Sequence, residues 1–99
     1  MFVQLKNYTN YAVDENGNVK NLITKKILAG SIGENGYKYY RLRDNNQPVL
    51  VYAHRLVAET FLDNINNLPV VNHKDGNKLN NNINNLEWVD QSSNRIHAI

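Results

Sequence analysis

Apolar and polar positions alternate in short runs along the first half of the chain, and turn-forming residues separate the runs. Glu15-Asn16-Gly17-Asn18, Ala29-Gly30-Ser31, Glu34-Asn35-Gly36 and Asp44-Asn45-Asn46 are such breaks, because Gly, Asn and Asp accept the backbone angles that tight turns require. Between them the pattern predicts a hairpin of Tyr11–Val13 with Asn18–Asn21, a strand at Lys26–Leu28, and a second hairpin of Tyr37–Arg43 with Val49–Ala53. In YKYYRLR the two-residue period sets Tyr37, Tyr39, Arg41 and Arg43 on one face and Lys38, Tyr40 and Leu42 on the other. One face of this strand is therefore aromatic and cationic.

The period changes at His54. In HRLVAETF, Leu56, Val57, Thr60 and Phe61 recur at helical spacing, and Arg55 with Glu59 forms an i,i+4 pair. A short helix over His54–Phe61 should pack on the sheet. Leu68–His73 predicts a strand entered through Pro69, Asp75-Gly76 a sharp turn, and Leu86–Val89 a further strand beyond an Asn-rich loop. Asp90 or Ser92 can cap a final helix carrying Asn94, Arg95 and His97. The expected fold class is α+β in one domain, 1–99: a small N-terminal antiparallel sheet with one helix (1–62), then a β, loop, β, α part (68–99).

Bulk properties narrow the function classes. At 99 residues the chain can bury a modest core, without room for separate catalytic and targeting halves. No segment approaches the roughly 18 consecutive apolar residues that cross a bilayer, so no membrane association is expected. The opening MFVQLKNYTN lacks the apolar core of an export signal, which points to an intracellular, cytoplasmic location. Zero cysteines exclude disulfides and thiolate zinc sites, so nitrogen or oxygen must hold any metal. A net charge of +2 is compatible with a polyanionic partner without diagnosing one. The excess of Asn, Lys, Ile and Tyr suggests an AT-rich genome, which lowers the weight of the many asparagines.

Chemistry concentrates in VVNHKDGNKLNNNINNLEWVDQSSNRIHA, where His73, Asn85 and Asn94 are spread along the β, loop, β, α run. The stretch from Pro69 to Ala98 resembles the HNH, or His-Me finger, endonucleases, particularly the phage and intron-encoded homing branch. Upstream, NYAVDENGNVKNLITKKIL, GYKYYRLR and VYAHRLVAETF look like the β-rich motif that often precedes this module. The resemblance implies a ββα-metal module, a phage or mobile-element origin, and hydrolysis of phosphodiester bonds in double-stranded DNA by nicking.

It further implies His73 as general base, a role open to neutral imidazole with its ordinary pKa near 6.5. One divalent ion, Mg²⁺ or Mn²⁺, would sit between Asn72 and Asn94, whose carbonyl oxygens suit hard cations. Asn85 would brace the loop around the histidine. His97, three residues past Asn94 on the same helical face, is a candidate further ligand. Lys74, Lys78 and Arg95 lie near enough in sequence to contact phosphate, and Arg41 and Arg43 could position a duplex from the sheet. A homodimer would turn a nicking monomer into a double-strand cutter. The chain stops at Ile99 without the extra DNA-binding segment common in homing enzymes, so low or borrowed target specificity is expected.

Adjacent strand residues point to opposite faces, so Asn72 and His73 can share a site only where the strand bends or ends. The competing class is a non-catalytic nucleic-acid-binding protein on the same fold. A calcium loop at Asp75-Gly76-Asn77 is excluded, since Leu79 and Asn80 break the alternating ligands. Asp75 should instead tie down its own turn. His54 is expected to be a packing or capping group, and Trp88 to fill the core.

Overall fold

A computed structural model describes residues 1–91; the expected final helix, with Asn94, Arg95 and His97, lies outside them. Three antiparallel sheets and one helix make up the described chain. The first sheet has the order β1 (Val3–Gln4), β2 (Tyr11–Val13), β3 (Val19–Asn21). In the second, β4 (Ser31–Ile32) and β6 (Gln47–Tyr52) flank β5 (Lys38–Asp44), and β6 runs straight into α1 (Ala53–Phe61). The third pairs β7 (Val70–His73) with β8 (Leu86–Val89), the latter entered through a 3-10 turn at Ile83–Asn85.

Turn chemistry sets these registers. Asp14 accepts backbone N–H bonds from Asn16 and Asn18 on Oδ1, both at 2.9 Å, closing the β2–β3 hairpin around Gly17 at φ +84°. Asn45 and Asn46 adopt φ of 51° and 66°, so Asp44 pairs directly with Gln47 across a two-residue turn. Such paired left-handed angles match the twist of the flanking strands, and β5 and β6 reach further into the turn than the pattern alone indicated. Pro48 sits on edge strand β6, where its missing N–H leaves no central ladder bond open.

Other boundaries shift for local reasons. Lys26–Leu28 is no full strand but a single bridge, Lys20 to Ile27, because Lys25 turns the chain at φ 66° immediately before it. β7 begins at Val70, since Asn64 engages both backbone groups of Leu68, at 2.7 and 2.9 Å, and holds it off the ladder. The helix starts one residue early, at Ala53, and buries Ala53, His54, Leu56, Val57 and Ala58. Arg55 and Glu59 do pair, at 3.4 Å.

The core is one cluster drawing on all three sheets and the helix. Val13 and Val19 of the first sheet, Tyr40 and Leu42 of the second, Val57 of α1 and Val71 and Leu86 of the third belong to it. Alternation in β5 is as the pattern predicts: Tyr40 and Leu42 are buried while Arg41 and Arg43 are exposed. Trp88 packs against this core and donates from Nε1 to the Leu62 carbonyl at 3.3 Å, with the Arg55 guanidinium 5.5 Å over its ring.

The Tyr40 hydroxyl donates to the Gly17 carbonyl at 2.7 Å in a buried bond that ties the first two sheets together. Tyr40→Phe leaves that carbonyl unsatisfied and should lower unfolding stability by about 1–3 kcal/mol. Urea denaturation followed by circular dichroism checks this, and an unchanged midpoint would contradict it.

Candidate active site

His73 ends β7, and the ladder stays regular to that point, with His73 opposite Leu86 and Asn72 opposite Glu87. The two neighbours leave the strand on opposite faces, and β7 ends at His73, which is the condition for both to serve one site. Inward, the His73 ring is 7% exposed, and its Nε2 lies 2.8 Å from Asn81 Oδ1. The His54 ring is 5.1 Å away and that of Tyr37 5.9 Å away, centre to centre. Tyr37 and Tyr52 in turn pack on His54 at 4.9 and 5.5 Å. Tyr37 stands just before β5, so its ring serves this aromatic cluster and does not extend the row of half-buried Tyr39 and exposed Arg41 and Arg43.

His54 departs from the capping role, since the N-cap of α1 is Tyr52. It is a buried packing group whose Nδ1 has no hydrogen-bond partner among the described residues. Burial drives its pKa down to about 4, and the positive charge that His73 and Arg55 can carry adds to the effect. At neutral pH it is an uncharged wall beside His73.

On the other face, Asn72 donates from Nδ2 to Glu87 Oε2 at 2.9 Å. That bond fixes the amide, so the Asn72 carbonyl oxygen turns away from Glu87. The cross-strand pairing supplies a carboxylate where the sequence reading had only neutral amides. Among the described residues no three His, Cys, Asp or Glu side chains form a metal cluster.

Asn85 ties the intervening loop together. Its Nδ2 donates to Asp75 Oδ1 and to the Asn80 carbonyl, each at 2.9 Å, and its Oδ1 accepts from the Asp75 N–H at 3.1 Å. Asp75 also accepts from the Asn77 N–H at 2.8 Å, and the bonds from Asn80, Asn77 and Asn85 hold its carboxyl below the usual range. Lys74 is exposed. Lys78 is partly engaged: its Nζ donates to the Asn35 carbonyl at 2.9 Å and lies 4.9 Å over the Tyr37 ring. Asn81 and Glu87, which carry no motif signal in the sequence, thus stand at the site, and Tyr37, expected on the aromatic and cationic strand face, stands with them. Glu87 could have been found by registering the two strands. Asn81 was hidden in a run of identical residues.

Residues 51–96 match the family model described as HNH endonuclease, and residues 2–43 match the NUMOD4 motif. The chain belongs to the HNH endonuclease family. An HNH endonuclease of Acanthamoeba polyphaga mimivirus is 43% identical over 95 residues, covering 96% of this chain and 29% of the relative. The DNA endonuclease I-HmuI of Bacillus phage SP01 is 38% identical over 84 residues, 85% of this chain and 48% of its own length. A solved structure titled for DNA binding and cleavage by the HNH homing endonuclease I-HmuI superposes with a TM-score of 0.89 at 35% identity, covering 98% of this chain and 56% of that one. This HNH chain thus shares the α+β fold of that enzyme and spans about a quarter to a half of the length of its curated relatives. No described helix is long and apolar enough to cross a membrane.

Proposed function

We propose that this HNH chain hydrolyses phosphodiester bonds in double-stranded DNA one strand at a time, with His73 as the base that activates water. The observation that carries this reading is the placement of His73 at the end of a ββ ladder, buried and held by a side-chain hydrogen bond. A neutral imidazole so held can take a proton without first reorganising. The relatives named for DNA cleavage support DNA as the substrate. Arg41, Arg43 and Lys74 are exposed and can meet phosphate, with Arg95 and Lys78 as further candidates.

Among the described residues Asn72 gives a divalent ion one oriented donor: its amide nitrogen is held by Glu87, which leaves the carbonyl oxygen, a hard donor of the kind that suits Mg²⁺ or Mn²⁺, facing away from that carboxylate. Asn72 would hold the ion together with Asn94, and with His97 as a candidate third ligand. When bound, it would stabilise charge developing on the phosphate and leaving oxygen. His73 accepts the proton of the attacking water, Asn85 holds the loop that shapes its surroundings, and His54 keeps the neighbouring volume uncharged.

The test is a supercoiled plasmid incubated with the protein in chelator, Mg²⁺ or Mn²⁺. Open circles should accumulate only with metal. If no metal yields nicks while the plasmid is still retained on the protein, the fold serves binding alone.

A further inference from the structure

We propose that Asn81 is the positioning residue that fixes the tautomer of His73, so that Nδ1 is the nitrogen that receives the proton. The inference rests on the reading of His73 as base. Neutral imidazole carries one N–H and one lone pair, and whichever nitrogen donates, the other is left to accept. Asn81 Oδ1 is only an acceptor and lies 2.8 Å from Nε2, so Nε2 is the donor and Nδ1 keeps the lone pair. No described residue hydrogen-bonds Nδ1. Had the Asn81 amide nitrogen faced the ring instead, Nε2 would be the acceptor and its lone pair would be spent inside the protein. After proton transfer both ring nitrogens carry hydrogen, and Oδ1 goes on accepting from Nε2 while the ring is cationic. A single amide oxygen thus serves the ring before and after the step.

Asn81 can do this only if it is itself held, and the N-terminal part of the chain holds it. It is 4% exposed. Behind it lies Gly17, where an added Cβ would come within 3.0 Å of Asn81 Cβ, so the turn fits closely against the back of the side chain. The Ile83 N–H donates to the Glu15 carbonyl at 2.8 Å, and Asn82 Nδ2 donates to Asn16 Oδ1 at 2.6 Å. Gly17 is anchored in turn by the Tyr40 hydroxyl. The β2–β3 turn, within the NUMOD4 match, is therefore the back wall of the base in the HNH match. A buried amide is costly unless it is bonded, and packing alone would have been met by leucine.

The tautomer is measured directly from long-range ¹H–¹⁵N spectra of the full chain at neutral pH, with His73 assigned by substitution. The native protein should show Nε2 protonated and Nδ1 with the shift of a bare lone pair. Asn81→Leu should mix the tautomers and lower kcat for nicking by about 10- to 100-fold, the range typical of residues that orient a reacting group through a hydrogen bond, with DNA affinity unchanged. Asn81→Asp, which also accepts from Nε2, should recover most of the lost rate. A native spectrum with Nδ1 protonated, or a folded Asn81→Leu with native tautomer and native kcat, overturns the proposal. The native spectrum decides the matter even if the leucine variant does not fold. Full activity in His73→Ala would instead sink the base assignment, whichever tautomer is seen.

Discussion

His73→Ala should lower plasmid nicking by about 10²- to 10⁴-fold, the usual share of a positioned general base. Truncation removes the only ring held at the end of β7 by Asn81, and no other histidine can substitute from the described site. His54 lies 5.1 Å away, but it is neutral, buried and packed between tyrosines, with its ring fixed by them. The substitution also strips Asn81 Oδ1 of its donor, which costs about 1–3 kcal/mol of stability. Assays therefore belong well below the melting temperature, with circular dichroism and DNA retention measured in parallel. Native-rate nicking by a folded His73→Ala protein would end the proposal that this imidazole is the base.

The second large effect is a loss of stability in mild acid. His54 has a folded pKa of about 4 against an ordinary value of 6.5. Between these values the unfolded chain takes up a proton that the native chain refuses, so stability falls as pH drops from about 6.5 to about 4. At about 1.4 kcal/mol per unit the total is roughly 3 kcal/mol, and below pH 4 this residue adds no further slope. His54→Phe keeps a flat ring among Tyr37, Tyr52 and His73 and has nothing to protonate. Its urea midpoint should stay nearly level between pH 7 and pH 4.5 while the native midpoint declines. Asp14 and Asp75 do not confuse the result. For Asp14, burial raises the pKa, but hydrogen bonds from Asn18 and Asn16 outweigh it, and both carboxyls end below 3.8. Their contributions are lost only in stronger acid. Equal declines in the two proteins would show that His54 is not the sensor.

Much of this was legible in the sequence where periodicity is long enough to declare itself. β5 with its buried Tyr40 and Leu42, the helix after Tyr52, and the β7–β8 pair follow from alternation, helical spacing and turn residues. The two-residue strands β1 and β4 do not, because their exposed residues carry no apolar period. Site residues divide in the same way. His73 stands out through its motif, but Asn81 sits between Asn80 and Asn82 with no local mark, and only its burial against Gly17 separates it. The abundance of asparagine, attributed to codon usage, concealed how many of these amides are structural. Asn64, Asn77, Asn82 and Asn85 each bond backbone groups of the turns and loops in which they lie.

The junction between the two family matches falls between residues 43 and 51, inside the β5–β6 hairpin. Tyr40 of the first match pairs with Val51 of the second, and Leu42 with Val49 in the stretch between the matches, so the hairpin zips together across that point. A recombination event that exchanged either motif alone would have to restore this register, the Asn45-Asn46 turn and the fit of Gly17 behind Asn81 at the same time. The two segments are thus mechanically one block, and a chimera joined outside the hairpin keeps contacts that one joined inside it has to rebuild.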